Sequence, residues 1–315
     1  MQSSFSTPES FYGELTNLGI ISVEGEEAVS YLQGKVTNDM DSLGEERIQL
    51  GCHCDFKGKT WNIFHAIKTP EGVDLLCHRE SIPASLAELK KYGVFSKVEF
   101  NDTTANWQYF ALSGAESEQS LKGIFEQLPT EHLQVNSNED GKVIRFDAPF
   151  TRYLVLAKPA LAQQLNQQLT TSKMAEAYWE AADILSGLAN IQGATSEQFV
   201  PQMMNLQALQ AISFDKGCYM GQEVVARTKY LGKNKRAAFI LTSDNSSSLL
   251  AGDILEAKIG DNWRRSGTVL RSASLETGTC VLAILPNDTT AEQIFRSKEN
   301  PEQLFTVAPL PYSLD

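Results

Sequence analysis

Apolar and polar residues alternate along the chain with two different periods, and the period predicts the element that each segment forms. Runs of β-prone residues bounded by turn residues predict strands at 19–23, 62–68, 73–78, 97–100, 107–112 and 152–157. Helical spacing of apolar residues predicts helices at 26–32, 81–92, 117–127, 161–169 and 173–185. Because strands and helices are interspersed, the pattern predicts an α+β fold.

The pattern changes after Arg236, where short β-prone runs predominate. They lie at 237–242, 266–270 and 279–285 and are separated by glycine and aspartate turns. We expect this tail to form a small antiparallel β-barrel. By contrast, segment 134–141 is rich in asparagine, serine and acidic residues, and it is expected to be an exposed loop.

Length and hydrophobicity indicate an ordinary folded protein with two or three domains. The chain has 315 residues, of which 42% are hydrophobic and 21% charged. No run approaches the roughly 18 to 20 apolar residues of a membrane helix, and the N-terminal segment lacks the basic start and apolar core of a signal peptide. The sequence therefore predicts a cytoplasmic protein with no membrane partner.

The cysteines are typical of a reducing compartment. They are odd in number and lack the dense, regular spacing of a disulfide scaffold: Cys52, Cys54, Cys77, Cys218 and Cys280. Cys52-His53-Cys54 invites a metal-site interpretation, but a structural zinc site needs four ligands, usually in pairs separated by two or more residues. On a strand the two thiols would share one face and His53 would point away, so we expect a buried strand and no metal.

The formal net charge of −12 bears on nucleic-acid partners. A negative protein is repelled by phosphate backbones at long range, which disfavours DNA binding and strong direct tRNA binding. Contact with RNA would require a local basic patch. Residues 227–236, with five cations and no acidic residue, could supply such a patch.

The run Lys-Gly-Cys-Tyr-Met-Gly-Gln-Glu at residues 216–223 carries the clearest candidate chemistry. Gly217 and Gly221 bracket Cys218 in a predicted tight turn, where a ligand or another backbone could approach closely. Lys216 beside Cys218 would favour the reactive thiolate. The alternative is that Cys218 is a buried, structural thiol, which is the commoner role of a free cysteine.

This run resembles the signature of the YgfZ family, whose members are relatives of the glycine-cleavage T-protein. The similarity continues at residues 31–39, 53–59, 89–98, 262–265 and 309–314, so it spans the chain. It implies a T-protein-like fold of several domains around a central cleft, a bound tetrahydrofolate or related folate, and a role in supporting iron–sulfur enzymes and tRNA modification. It also implies that Cys218 is functional, with Lys216, Gln222 and Glu223 in the same motif.

The resemblance and the pattern together predict three structural units. Residues 1–50 and about 107–235 would form a discontinuous folate-binding core, and about 51–106 a small α+β domain inserted in it. The C-terminal unit, 236–315, would be the antiparallel β-barrel.

Candidate folate contacts follow from the resemblance. Trp179 lies where family members have a tryptophan implicated in folate binding, and an indole can stack on a flat pterin ring. Leu18 aligns with a second tryptophan of the family, and Leu185-Ser186-Gly187 stands where many members have Glu-Ala-Gly. Without the resemblance, a tryptophan on a helix is more often part of the core.

The cationic run receives a second interpretation from the resemblance. Arg227, Lys229 and Arg236 at the mouth of a cleft would hold the glutamate carboxylates of a folate. The alternatives are a solvated surface and, less favoured by the charge, RNA phosphate binding.

Two classes of function are compatible with these residues. In the favoured one, the protein is a folate-binding accessory factor that helps to assemble, repair or protect iron–sulfur enzymes, including tRNA-modifying enzymes. In the other, it is a folate-dependent one-carbon transferase related to aminomethyltransferase. The sequence leaves turnover open, because the catalytic aspartate of the T-protein has only a loose counterpart here, Asp55.

Overall fold

The computed structural model describes residues 5–170, 172, 174–230, 232 and 234–314. Its helices within these ranges are α1 (Ala28–Gln33), α2 (Ile82–Tyr92), α3 (Ala115–Lys122), α4 (Pro159–Gln168), α5 (Ala175–Leu185) and α6 (Gln222–Tyr230). The strands are β1 (Phe11–Leu15), β2 (Leu18–Glu24), β3 (Gln49–Cys54), β4 (Thr60–Lys68), β5 (Gly72–His78), β6 (Glu99–Asp102), β7 (Gln108–Ser113), β8 (Val135–Ser137), β9 (Gly141–Phe146), β10 (Arg152–Ala157), β11 (Arg236–Ser243), β12 (Ile254–Ile259), β13 (Asn262–Leu275), β14 (Gly278–Pro286), β15 (Ile294–Ser297) and β16 (Leu304–Ala308).

The first sheet is antiparallel, with strand order β1-β7-β10-β9-β8. Its central strand β10 is buried along its whole length, which agrees with its unbroken apolar run after Arg152. Because side chains alternate across a strand, Leu154 and Leu156 pack on the face that meets α5, whereas Tyr153 and Val155 pack with α3 and α4. One face of this sheet therefore packs against α5, and the other packs against α3 and α4.

The second sheet has strand order β3-β4-β5-β2-β6, and helices α1 and α2 cover one of its faces. Strand β2 pairs with β5 from Leu18 opposite His78 to Glu24 opposite Gly72. The sheet therefore extends outside the predicted inserted unit of residues 51–106, because strands pair by their free edges and β2 fills the edge that β5 offers.

The C-terminal strands close into a six-stranded barrel in the order β11-β14-β13-β12-β15-β16, as predicted. Phe239, Phe295 and Phe305 fill its own core. The outward residues of β11 and β14, such as Ile240 and Leu282, pack in the large central cluster that also contains residues of α5. The barrel is thus fixed to the rest of the protein by an apolar face.

Two predicted elements need correction. Segment 134–141 is not simply an exposed loop: Val135 is buried and begins β8, which pairs with β9. The helix predicted at 117–127 is shifted, since α3 ends at Lys122 and Gly123 caps its carboxyl end. The helix predicted at 173–185 is present as α5 from Ala175, whereas Lys173 lies outside the described residues.

Over the ranges that the structure covers, none of the helices combines the length and apolarity needed to cross a membrane.

Candidate functional site

A cavity lies where both sheets, the barrel and α5 come together. Leu154 of the first sheet, His65 of the second, Arg271 of the barrel and Trp179 of α5 are among its lining residues. A second space adjoins it and shares Leu50, His65, Phe146 and Leu188 with it. We name the two parts the Trp179 half and the Arg152 half, after a residue that lines only that part.

The two halves are narrow. Including the part open to solvent, they contain about 560 and 470 Å³ free of protein atoms. The space open to the centre of a water molecule is about 60 Å³ in the Trp179 half and 100 Å³ in the Arg152 half. The side chains thus leave a defined but tight cleft at the centre of the molecule.

Trp179 and Leu18, which the sequence singles out separately, line the same half of the cavity. Trp179 is only 4% exposed and meets Phe146 edge-on, with 5.5 Å between the ring centroids. The guanidinium of Arg152 lies 4.0 Å from the Trp179 ring centroid, which is a cation–π geometry. The role of Trp179 and Leu18 in folate binding stays a prediction, but the structure does bring these two residues to the same half of the cavity.

A buried network of four charged side chains supports the cavity. Arg271 binds both carboxylate oxygens of Glu180, at 2.6 and 2.7 Å, and one oxygen of Asp183 at 2.8 Å. Arg152 donates to the other Asp183 oxygen at 2.6 Å. Burial by itself would raise the pKa of Asp183, but Arg152 and Arg271 outweigh this effect and hold that pKa below its ordinary value. With two cations and two carboxylates, the network is neutral.

Sequence reasoning missed this network, although two signals point to it. Arg152 opens an otherwise apolar strand, and Glu180 and Asp183 stand three residues apart among apolar residues of α5. Charged side chains are rarely fully buried unless they are paired, so such positions indicate a buried ion pair. The sequence offers no way to tell which charges meet, because they come from separate strands and a helix.

Two buried polar atoms at the cavity have no hydrogen-bond partner among the described residues. They are Oδ1 of Asn17, which lines the Trp179 half, and Nη1 of Arg152, which lines the Arg152 half. A buried donor or acceptor without a partner costs about 1–3 kcal/mol, so such atoms usually bind water or a ligand. One unpartnered acceptor and one unpartnered donor therefore belong to side chains that line the two halves.

Cys218 is exposed and lies just before the turn at residues 220–221 that leads into α6, and it is absent from the residues that line the cavity. Gly221 shapes the turn: its φ is +83°, and a Cβ there would lie 2.6 Å from the carbonyl oxygen of Asp55. Asp55 itself organises a neighbouring turn by accepting from the amides of Lys57 and Lys59. The Cys218 thiol receives no hydrogen bond from any described residue.

The sequence analysis predicts that Lys216 acts on the Cys218 thiol, but in the structure the lysine binds backbone carbonyl groups. The Lys216 ammonium donates to the carbonyl oxygens of Val36 and Asn38, at 2.9 and 2.6 Å. Burial lowers the pKa of Lys216 to about 8. Gly217 separates the two residues, and two backbone carbonyl oxygens hold the lysine ammonium. Lys216 therefore anchors the motif to the segment after α1, and no hydrogen bond among the described residues joins its ammonium to the Cys218 thiol.

The remaining motif residues begin α6. Gln222 is its first residue, and Glu223 forms an ion pair with Arg227 one turn later, so both charges lie on the solvent side. The Lys229 ammonium lies 3.7 Å from the ring centroid of Phe214. Val225 supplies the buried face of the helix.

The sequence analysis predicts the cationic run at the mouth of the cleft, but the structure places these residues elsewhere. Arg227, Lys229 and Arg236 are exposed and absent from the residues lining either half, and Arg236 donates to the carbonyl of Ser266. Lys233 lies outside the described residues. The physical reason is that α6 buries its apolar face and leaves its cations in solvent, which corresponds to the solvated-surface alternative.

The Cys52-His53-Cys54 triplet forms the buried strand that the sequence predicts. The two sulfur atoms lie 3.4 Å apart, while Nδ1 of His53 meets the Ser85 hydroxyl at 3.0 Å. Within the described ranges, no group of three potential metal-ligating side chains comes together.

The sheets, the barrel and the central cavity define a protein of the T-protein fold. The crystal structure of the glycine cleavage system aminomethyltransferase T from Bartonella henselae is similar, with a TM-score of 0.71. The similarity covers 96% of this chain and 86% of that one at 16% sequence identity, so it shows the fold alone.

Sequence comparison identifies the family within that fold. The sequence model "YgfZ, beta-barrel domain" matches residues 234–300. The tRNA-modifying protein YgfZ of Colwellia psychrerythraea is 37% identical over 98% of this chain and 94% of its own length. The proteins of that name from Pectobacterium carotovorum and Yersinia pestis are 40% and 39% identical, over 95% of this chain and 91% and 92% of theirs. The chain belongs to the YgfZ family.

Proposed function

We propose that this protein binds a reduced folate, tetrahydrofolate or a close relative, in its central cavity. We further propose that it acts in the cytoplasm as an accessory factor for iron–sulfur enzymes, among them enzymes that modify tRNA. The observation that carries the proposal is that Trp179 and Leu18 line one cavity together with Asn17 and two carboxylates of α5. The name of the curated relatives, tRNA-modifying protein, supports the link to tRNA.

The Trp179 half has the groups that a pterin requires. A pterin is a flat ring whose edge presents N–H donors, so it needs an aromatic or apolar face and acceptors in the ring plane. Trp179 and Leu18 provide apolar surface, and the unpartnered Oδ1 of Asn17 provides an acceptor. Glu180 and Asp183 place carboxylates on the same helix that has Leu185 where many family members have a glutamate.

The narrowness of the cavity indicates that binding requires movement. The space open to the centre of a water molecule is about 60 Å³ in the Trp179 half, which is room for only a few water molecules. Leu188 lines both halves and is only partly buried, so we expect its side chain to shift when a ligand enters.

The position of Cys218 favours an accessory role over folate chemistry. A thiol that reacts with the folate would have to reach the cavity, whereas Cys218 is exposed and absent from its lining. An exposed thiol beside a fixed turn is accessible to a partner protein. We therefore assign Cys218 to contact with a client enzyme, and we expect any effect on tRNA to pass through that enzyme.

Calorimetric titration with tetrahydrofolate tests the folate proposal. Trp179→Leu removes the stacking surface and should weaken binding about 5- to 150-fold, equivalent to about 1–3 kcal/mol. Trp263→Leu is the matched control, because Trp263 also carries a guanidinium on its ring, that of Arg296 at 4.5 Å, but lies in the barrel strand β13. Equal affinity of a folded Trp179→Leu protein and the control would remove Trp179 from the site.

A further inference from the structure

We propose that the Arg152 half of the cavity is a binding site for a carboxylate group. Arg152 is 1% exposed, and its Nη1 has no hydrogen-bond partner in the part of the chain that the structure describes, whereas Nε and Nη2 donate to Ala148 and Asp183. The proposal concerns the cavity of the proposed function, but it can be tested with no folate present.

Two histidines provide further hydrogen-bonding groups in this half. Nδ1 of His132 accepts from the Asp147 amide at 3.1 Å, so a neutral His132 carries its proton on Nε2 and can donate it. His132 is exposed and stands at the mouth of this half. His65 lines both halves, and its ring packs edge-on against Phe146 with 5.5 Å between the ring centroids. Arg152 and His132 therefore place N–H donors on side chains that line a small space.

The geometry and charge favour a carboxylate over other acceptors. A guanidinium N–H and an imidazole N–H suit the two oxygens of a planar carboxylate, and ionic hydrogen bonds of this kind are strong. The surrounding network is neutral, so a monoanion is less costly to bury than the dianion of a phosphate. Leu50, Leu133 and Leu209 line the rest of this half, which leaves an apolar wall for a short hydrocarbon substituent.

The carboxylate could come from either of two sources. It could belong to the folate, whose glutamate carries carboxylates, because the two halves share Phe146 and Leu188. It could also belong to a separate small carboxylic acid that binds beside the pterin. Both sources present the same group to Arg152, and ligands with and without a carboxylate distinguish them.

The first arm of the test uses sodium acetate and the protein without folate. The indole N–H resonance of Trp179 is the reporter, because Arg152 lies 4.0 Å from that ring, and sodium chloride keeps the ionic strength constant. Acetate should give a saturable shift, and the neutral acetamide should bind at least ten-fold more weakly. A shift of the Trp179 resonance that rises linearly with acetate, and equals the shift with acetamide, would overturn the proposal. The Arg152 Nη1 would then bind water and not a carboxylate.

Variants assign the effect to residues. Arg152→Lys keeps the charge opposite Asp183 but loses Nη1, and His132→Phe removes the donor at the mouth. Each should weaken acetate about ten-fold or more, whereas Arg47→Lys, at an exposed ion pair with Glu131, should leave it unchanged. If Arg152→Lys fails to fold, His132→Phe decides, because it changes an exposed residue; unchanged acetate affinity there would contradict the proposal.

The second arm compares tetrahydrofolate with 6-methyltetrahydropterin, which has no carboxylate. If the folate supplies the group, His132→Phe should weaken tetrahydrofolate about ten-fold and leave 6-methyltetrahydropterin unaffected. If a separate acid supplies it, both pterins should bind normally and acetate should still bind to the pterin complex. Failure of both pterins to bind, with acetate binding intact, would count against the proposed folate function and not against this site.

Discussion

Arg271 is expected to be the most costly single residue to lose at the junction between the barrel and α5. Its guanidinium donates to Glu180, Asp183 and the carbonyl of Leu188, at 2.6–2.9 Å. The Arg271 side chain is 4% exposed, and those of Glu180 and Asp183 are 12% and 10% exposed. Arg271→Met therefore leaves the Glu180 carboxylate buried without its cation and Asp183 with Arg152 alone.

The magnitude follows from the burial of the carboxylates. Removing one partner of a buried, hydrogen-bonded ion pair costs about 3–5 kcal/mol, because the remaining charge is desolvated and unpaired. Replacing the Arg271–Glu180 pair together, by Met and Leu, should recover much of that loss, since no uncompensated charge then remains at position 180. The difference should appear as a coupling free energy between positions 271 and 180.

Urea unfolding followed by circular dichroism measures both quantities. Arg296→Met is the matched control, because Arg296 is also a barrel arginine paired with a glutamate, Glu256, but both side chains are partly exposed, at 23% and 18%. The control should lose about 1 kcal/mol or less. The reasoning would be refuted if Arg271→Met lost no more stability than Arg296→Met, or if the double replacement were as unstable as the single one.

Three further predictions concern the motif, the core and tRNA. Cys218 should be alkylated near neutral pH much faster than Cys77 and Cys280, because those two thiols are buried and burial raises their pKa values. The Cys218→Ala protein should fold normally yet fail to sustain iron–sulfur enzyme activity in cells. Full complementation by this variant would show that the thiol is dispensable. Burial lowers the pKa of His53 to about 3, below the unfolded value of about 6.5, so its contribution to stability is present above pH 6.5 and lost as the pH falls toward 3. The stability difference between wild type and His53→Gln should therefore change by about 2 kcal/mol between pH 7 and pH 5, and a pH-independent difference in urea unfolding would contradict this. With a net charge of −12, the protein should bind bare tRNA weakly in a filter-binding assay near physiological salt. Tight, salt-sensitive binding would show that the exposed cations of α6 outweigh the repulsion between the acidic protein and the tRNA phosphates.

The sequence predicts the elements well where the apolar pattern is long. Helix α2 and the strands β5 and β10 agree with their predicted ranges to within a residue or so. Short strands are harder to predict: β8 has three residues and exists because β9 offers it an edge, which no local pattern reveals. The same holds for β15 and β16, which complete the barrel with few residues each.

The candidate site divides in a similar way. Trp179 and Leu18 could be assigned from the family resemblance, and the fold places both on the cavity. The contact of Lys216 with Cys218 could not be judged from adjacency, because the acceptors that hold the lysine belong to residues about 180 positions earlier. The pairing of Arg152 and Arg271 with one aspartate likewise depends on tertiary structure alone.

A crystal structure of the protein with tetrahydrofolate would test the proposed folate site most directly. The pterin ring should lie in the Trp179 half, in contact with Trp179, with Oδ1 of Asn17 accepting a hydrogen bond from the ring edge. A folate bound outside the cavity, for example along the cations Arg227 and Lys229 of α6, would contradict the proposal, as would an empty cavity at saturating folate.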